Sequence, residues 1–243
     1  MVDSNENGAA RAENVDQVIE RFKTSLPDGS NVGEFYDNLN PEAYDQAMKD
    51  IDWTEPENII EAIAEGPSEG GRGFLNAARD IKIYDIGCGT GNLGGRLAER
   101  GFTNIEGGDA SQKFVEEAMR RGNYKSIEQR FFGQGPDKLA ADKIGAFDLV
   151  VASGVFSPGH MPATVFDDAH ALCKTGGYFV TALGSYQWET GHESGFKDKF
   201  DELVAAGKFE TVFTREFTKF KDGVGAHFFR TQGSLLFVAK RLD

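Results

Sequence analysis

Hydrophobic positions divide the chain into two regimes. Through its first third, apolar residues recur three or four apart. Val15, Val18, Ile19 and Phe22 mark one helix that stops before Pro27-Asp28-Gly29, and Ile59, Ile60 and Ile63 mark another after Pro56. Between them, past Phe35-Tyr36-Asp37, Asn40 and Pro41 supply the cap and first residue of a helix carrying Tyr44 and Asp45. Residues 1–12 show no period and read as a disordered tail. Gly66 to Gly73 is the one linker-like stretch, so residues 13–73 are expected to form an N-terminal helical cap.

From Ile81 the pattern changes to short apolar runs separated by helical segments. Strands are expected at Ile81–Ile86, Ile105–Asp109, Ile127–Phe132, Phe147–Ala152 and Tyr178–Leu183, with a helix over Pro162–Lys174 before the Gly176-Gly177 turn. Continuous apolar strands alternating with helices predict an α/β domain, a parallel sheet covered on both faces. The end differs. Helix Phe196–Ala206 precedes strands Phe209–Phe217 and Leu235–Lys240, joined by a glycine turn at Gly223–Gly225 and so expected to pair antiparallel.

Composition narrows the classes of function. The chain has 243 residues, 20 of them phenylalanine, and a net charge of −13. A field of that sign argues against nucleic acid and anionic membranes and favours a small or cationic partner. No apolar run is long enough to span a bilayer, and the opening MVDSNENGAARAEN has neither a basic patch nor an apolar stretch. Two cysteines, Cys88 and Cys173, are too few for a disulfide framework or a thiolate zinc site, and both read as packing residues. A cytoplasmic protein without a metal is expected.

The chemistry concentrates in Ile83-Tyr84-Asp85-Ile86-Gly87-Cys88-Gly89-Thr90-Gly91, a strand that enters Gly-x-Gly-x-Gly and then a helix. Such a turn brings bare backbone and the free N–H groups of a helix to a ligand. Asp109 ends the next strand, where a carboxylate matches the paired hydroxyls of a ribose. A dinucleotide fingerprint needs glycine where Asn92 stands, which argues against a nucleotide-dependent oxidoreductase. The arrangement instead resembles the class I S-adenosylmethionine-dependent methyltransferases. The resemblance continues through Gly145–Ser153 and Leu172–Gly177, covering roughly residues 81 to 184. Within that superfamily the chain is similar to the Williams–Beuren syndrome region methyltransferase-like proteins, on Phe35-Tyr36-Asp37, Tyr44-Asp45, Asp109-Ala110-Ser111, Phe131-Phe132-Gly133-Gln134 and Ala152–Phe156.

That resemblance implies a Rossmann-like, seven-stranded, mostly parallel sheet with an antiparallel last strand, a methyltransferase domain over residues 74–243, and S-adenosyl-L-methionine as cofactor. It implies that Gly87 and Gly89 admit the cofactor, that Asp85 receives its amino group, and that Asp109 takes the ribose diol. Ala110 and Gln134 would flank the adenine, Ser153 would face the methyl group, and Tyr36 and Tyr44 would close over the whole. The substrate it implies is a small molecule or a protein side chain. His160 and Glu189 are the candidates for a general base, ahead of His192 and His227, while His170 falls mid-helix. A second class is a non-catalytic cofactor-binding protein, whose acceptor pocket would be filled by Phe156, Tyr186 and Trp188.

Overall fold

A computed structural model describes residues 14–24, 31–65, 79–220 and 233–243. The expected tail, the Pro27-Asp28-Gly29 stop, the glycine-rich stretch, the Gly223–Gly225 turn and His227 lie outside them. The described strands are β1 (Ile83–Ile86), β2 (Ile105–Asp109), β3 (Ser126–Gln129), β4 (Phe147–Ala152), β5 (Cys173–Gly184), β6 (Phe209–Thr218) and β7 (Gly233–Arg241). They form one sheet in the order β3-β2-β1-β4-β5-β7-β6. β1 pairs in parallel with both β2 and β4, with Ile83 opposite Ile105 and Leu149. β7 runs antiparallel between β5 and β6, as expected for two strands with no helix between them.

The helices are α1 (Val15–Thr24), α2 (Val32–Asp37), α3 (Pro41–Asp50), α4 (Glu55–Glu65), α5 (Asn92–Glu99), α6 (Gln112–Arg121), α7 (Val165–Leu172) and α8 (Phe196–Ala205). α3 starts as its sequence dictates, with the Asn40 side chain accepting the Ala43 N–H at 2.9 Å. Strand side chains alternate between two cores. Tyr84, Ile86, Val150 and Phe237 face α7 and α8, whereas Ile83, Leu149, Val151 and Leu236 face α4 and α5. Ile59, Ile60 and Ile63 of α4 therefore cover the sheet itself. α1, α2 and α3 bury a separate cluster, with Val18, Phe22, Phe35 and Leu39 closing on Phe114 of α6.

Several boundaries differ from the pattern, most of them by one or two residues, and three elements differ by more. β3 ends at Gln129 rather than Phe132, because its partner β2 ends at Asp109, whose carbonyl takes the Arg130 N–H as the last bond between them. α7 begins at Val165 rather than Pro162 and stops at Leu172, because Cys173 already has extended dihedrals. Gly176 and Gly177 lie inside β5, where Cys173 pairs with Phe147 and Tyr178 with Leu149, so the intervening residues bulge out of the ladder.

Phe166 sits at the centre of the first core, stacked on Phe156 at 5.4 Å and edge-on to Phe200 at 5.6 Å. Phe166→Ala should cost about 3–5 kcal/mol, read from the midpoint of urea unfolding. A loss below about 1 kcal/mol would mean that the cluster collapses around the gap.

Candidate active site

Strand order reverses direction at β1, with β2 on one side and β4 on the other, which opens a crevice at the carboxyl ends of these strands. A cavity of about 230 Å³ occupies that crevice. Every position expected to touch the cofactor lines it: Tyr36, Tyr44, Asp85, Gly87, Gly89, Asp109, Ala110, Gln134 and Ser153. His160 lines it too. Glu189 does not, because it falls on an exposed turn after β5. His192 bonds Ser194 at 2.9 Å, and His170 bonds Asp243 at 2.6 Å, both apart from the cavity. Phe156 and Trp188 belong to the sheet core, Tyr186 is exposed, and none of the three lines the cavity.

Gly87 and Gly89 of the turn serve different ends. Both have positive φ, +67° at Gly87 and +55° at Gly89. A Cβ at Gly87 would lie 2.4 Å from Val155 Cγ1, so this glycine admits the β4 loop, whereas a Cβ at Gly89 would meet nothing. Only Gly89 therefore leaves bare backbone facing open space. Its N–H donates to Asp109 Oδ2 at 2.9 Å, and the Ser111 N–H donates to Oδ1 at 2.9 Å. The Asp109 carboxylate is thus oriented by two backbone donors while keeping lone pairs for a ligand.

Asp85 is 1% exposed and accepts the Tyr124 hydroxyl at 2.7 Å. That phenol oxygen accepts the Gly94 N–H at 3.1 Å, and a Cβ at Gly94 would strike the ring at 2.2 Å. Tyr124 is thus a support that motif reading passed over; the signal was Gly94, a glycine inside a helix that has to admit something bulky. Burial pushes the Asp85 carboxyl up to about 7, against the Tyr124 hydrogen bond and with help from Asp109. Burial also raises Asp109, opposed by its backbone donors and reinforced by Asp37. Two acids side by side with raised affinity for a proton make a site that gains from a cationic ligand.

The other walls carry further residues that no motif named: Val32, Trp53, Pro56, Arg130, Met161 and Pro162. The Gly133–Gln134 segment is held on both sides. Gly133 donates its N–H to buried Asp168 at 2.6 Å and accepts from Thr164 Oγ1 at 2.6 Å. Glu55, fully buried, accepts the Gly154 N–H at 2.5 Å and lies 3.4 Å from Lys219 Nζ. Ser153 Oγ is buried with no hydrogen-bond partner among the described residues. His160 Nδ1 lies 2.9 Å from the Pro158 carbonyl, which places the ring proton there and leaves Nε2 to accept the Tyr36 hydroxyl at 2.6 Å. Burial lowers this imidazole to about 4, so it is neutral at physiological pH.

A glycine turn leaving a buried acid, a second acid at the end of the neighbouring strand and a third-strand loop complete one crevice on an α/β fold. A family described as a methyltransferase domain matches residues 84–179, the segment that builds these walls. This segment is similar to the class I S-adenosylmethionine-dependent methyltransferases. Within that class the chain is similar to Methyltransferase-like protein 27 of Homo sapiens, at 26% identity over 190 residues, 78% of this chain and 73% of that protein. It also aligns with the ubiquinone biosynthesis O-methyltransferase of Caulobacter sp. (strain K31), at 28% identity over 102 residues, 42% of this chain and 40% of that enzyme. The fold matches the geranyl diphosphate C-methyltransferase of Streptomyces coelicolor, solved with S-adenosyl-L-homocysteine, with a TM-score of 0.60 at 13% identity over 90% of this chain and 100% of that one.

The acid at β1 makes stability depend on pH. An unfolded aspartate ionises near 3.8 and folded Asp85 near 7. Between these values the folded chain holds a proton that the unfolded chain has lost, so stability falls as pH rises through this window and levels off above it. Asp85→Asn has no such proton to lose. Its melting temperature should therefore rise relative to wild type between roughly pH 5 and pH 8. A difference that stays constant with pH would show that the folded carboxylate is ionised throughout.

Proposed function

We propose that the cavity binds S-adenosylmethionine through Asp85, Gly89 and Asp109, beneath Tyr36 and Tyr44, and passes its methyl group to a small, largely apolar molecule bearing a hydroxyl. The observation that carries the cofactor reading is the convergence of two buried carboxylates with raised proton affinity on open space beside Gly89. The group fits this donor set. Asp85 suits its ammonium, the free lone pairs of Asp109 suit its ribose diol, and the orphaned Ser153 Oγ awaits a partner. Ala110 and Gln134 flank the space left for the adenine. When bound, the cofactor supplies an already activated methyl group, so the protein's task is alignment and exclusion of water.

The remaining walls point to the acceptor. Trp53, Pro56 and Met161 offer apolar surface, and Arg130 is the one cationic side chain among the lining residues. Tyr36 donates to a neutral His160, so an acceptor hydroxyl resting on Tyr36 Oη passes its proton through the phenol to Nε2 as its oxygen takes the methyl group. With the cofactor bound, the proton gained by the imidazole would offset the positive charge that the sulfonium gives up with its methyl group. The O-methyltransferase relatives agree with an oxygen acceptor. The division of the chain expected from the sequence is narrowed in this reading: of residues 13–73, α1, α2 and α3 act as the cap, while α4 belongs with the methyltransferase domain whose sheet it covers. Among the described residues no helix is long and apolar enough to cross a membrane, which is compatible with a cytoplasmic enzyme.

Calorimetry should show 1:1 binding of S-adenosylhomocysteine and a raised melting temperature. Asp109→Ala should weaken that binding by about 2 kcal/mol, the scale of losing charge-assisted hydrogen bonds. A folded wild-type protein giving no heat sinks the cofactor reading. The acceptor reading is tested with methyl-labelled S-adenosylmethionine and simple catechols. His160→Asn should lower turnover at least roughly tenfold while cofactor affinity holds, and equal turnover would remove His160 from the chemistry.

A further inference from the structure

Two dipeptides of the same composition, Tyr36-Asp37 and Tyr44-Asp45, end α2 and lie within α3. Consecutive residues on a helix point about 100° apart, so a tyrosine turned to the cavity sends the following aspartate sideways. Both tyrosines line the cavity and pack on Phe114, at 5.3 and 5.1 Å between ring centres. Both aspartates leave the cavity and grip its loops. Asp37 Oδ1 accepts the Ser111 hydroxyl at 2.7 Å and the Lys113 N–H at 3.0 Å. Asp45 accepts the Thr90 hydroxyl at 2.6 Å and pairs with Arg121 at 2.5 Å.

The residues gripped are not arbitrary. Asp109 is oriented by the N–H groups of Gly89 and Ser111. Asp37 holds Ser111 itself, and Asp45 holds Thr90, the residue after Gly89. We infer that Asp37 and Asp45 are positioning residues for the cofactor: they tie the cap to both donors that orient Asp109, so that closure of the two tyrosines and alignment of the ribose-binding carboxylate are one coupled event. This rests on the reading of Asp109 given above. Phe114 already anchors the aromatic rings, so packing alone does not call for the aspartates. The placement of Asp37 also carries an electrostatic cost, since it disfavours the charge on Asp109.

Titration of S-adenosylhomocysteine into the full chain tests the coupling, using Asp45→Ala, Thr90→Val, their double variant and Asp45→Asn. Asp45→Ala and Thr90→Val should each weaken binding roughly tenfold, the scale of one charge-assisted hydrogen bond. The double variant should bind no more weakly than Asp45→Ala, because both changes remove the same contact. Asp45→Asn keeps an acceptor for the Thr90 hydroxyl and should recover most of the affinity. Hydrogen exchange over residues 31–51 should slow when ligand is added to wild type, and slow less in Asp45→Ala. A contact serving only the cap's own stability would lower the melting temperature of the free protein and leave affinity and ligand-induced protection unchanged. That result, or losses that add in the double variant, overturns the inference. If Asp45→Ala does not fold, Thr90→Val carries the same readout from the turn side. A wild-type protein that does not bind S-adenosylhomocysteine fails differently, overturning the cofactor reading and this inference with it.

Discussion

Two carboxylates taken out of water at the ends of adjacent parallel strands set the terms for the rest of the molecule. Asp85 and Asp109 stand on β1 and β2, whose register places Asp85 opposite Gly107. Each needs hydrogen-bond donors that do not bring a permanent counter-charge, since a fixed cation would compete with a cationic ligand. Tyr124 supplies a hydroxyl to the first, and the Gly89 and Ser111 backbone supplies N–H groups to the second. Gly107 makes room for the Tyr124 donor, and Gly108 admits Tyr84 and Phe132. A Cβ on Gly107 would lie 3.0 Å from the Asp85 carbonyl oxygen and 3.3 Å from the Tyr124 ring, and one on Gly108 would lie 3.0 Å from Tyr84 and Phe132. The small residues of β2 are thus the steric counterpart of the charge placed beside them.

The crevice is walled by segments far apart in the chain. Thr54, just before α4, donates its N–H to the Lys219 carbonyl at 2.9 Å, and Trp53 bridges Phe220 in antiparallel fashion. Trp53 in turn lies over Gly154, whose added Cβ would meet the indole at 2.9 Å. The end of β6 and the start of α4 are thereby joined at the mouth of β4, with buried Glu55 taking the Gly154 N–H. Because α4 also packs on the sheet, this wall is built on the rigid part of the fold. The tyrosine-bearing helices form the softer side: their core is small, and their polar ties run through Asp37 and Asp45.

This division suits methyl transfer. The rigid side holds the charged and hydrogen-bonding groups, which lose effect when displaced even slightly. The side that has to part for a large ligand to enter is held by a few aromatic contacts and hydrogen bonds. The net charge of −13 acts at longer range, favouring the approach of a cationic ligand while repelling polyanions.

The sequence by itself determined the residues at the centre of the crevice wall. Glycine spacing after an apolar strand, an acid before it and an acid ending the next strand are local patterns, and backbone geometry at a strand-to-helix turn leaves few ways to use them. The alternation of apolar strands and helices likewise determined the sheet, because a strand buried on both faces cannot hide its composition. Tertiary structure alone decided which side chains support those residues. Tyr124 beneath Asp85, Asp168 behind Gly133, Asp37 and Asp45 on the cofactor loops and Glu55 on Gly154 are single polar residues without periodicity, acting across 35 to 99 positions of chain. It likewise separated His160 from Glu189, since both follow strands whose ends face the crevice and only the fold's loop paths carry one inward and the other out to solvent. It assigned α4 to the sheet, although its sequence reads like that of the helices before it. Periodicity records that a face is buried, but what it is buried against depends on where the chain returns.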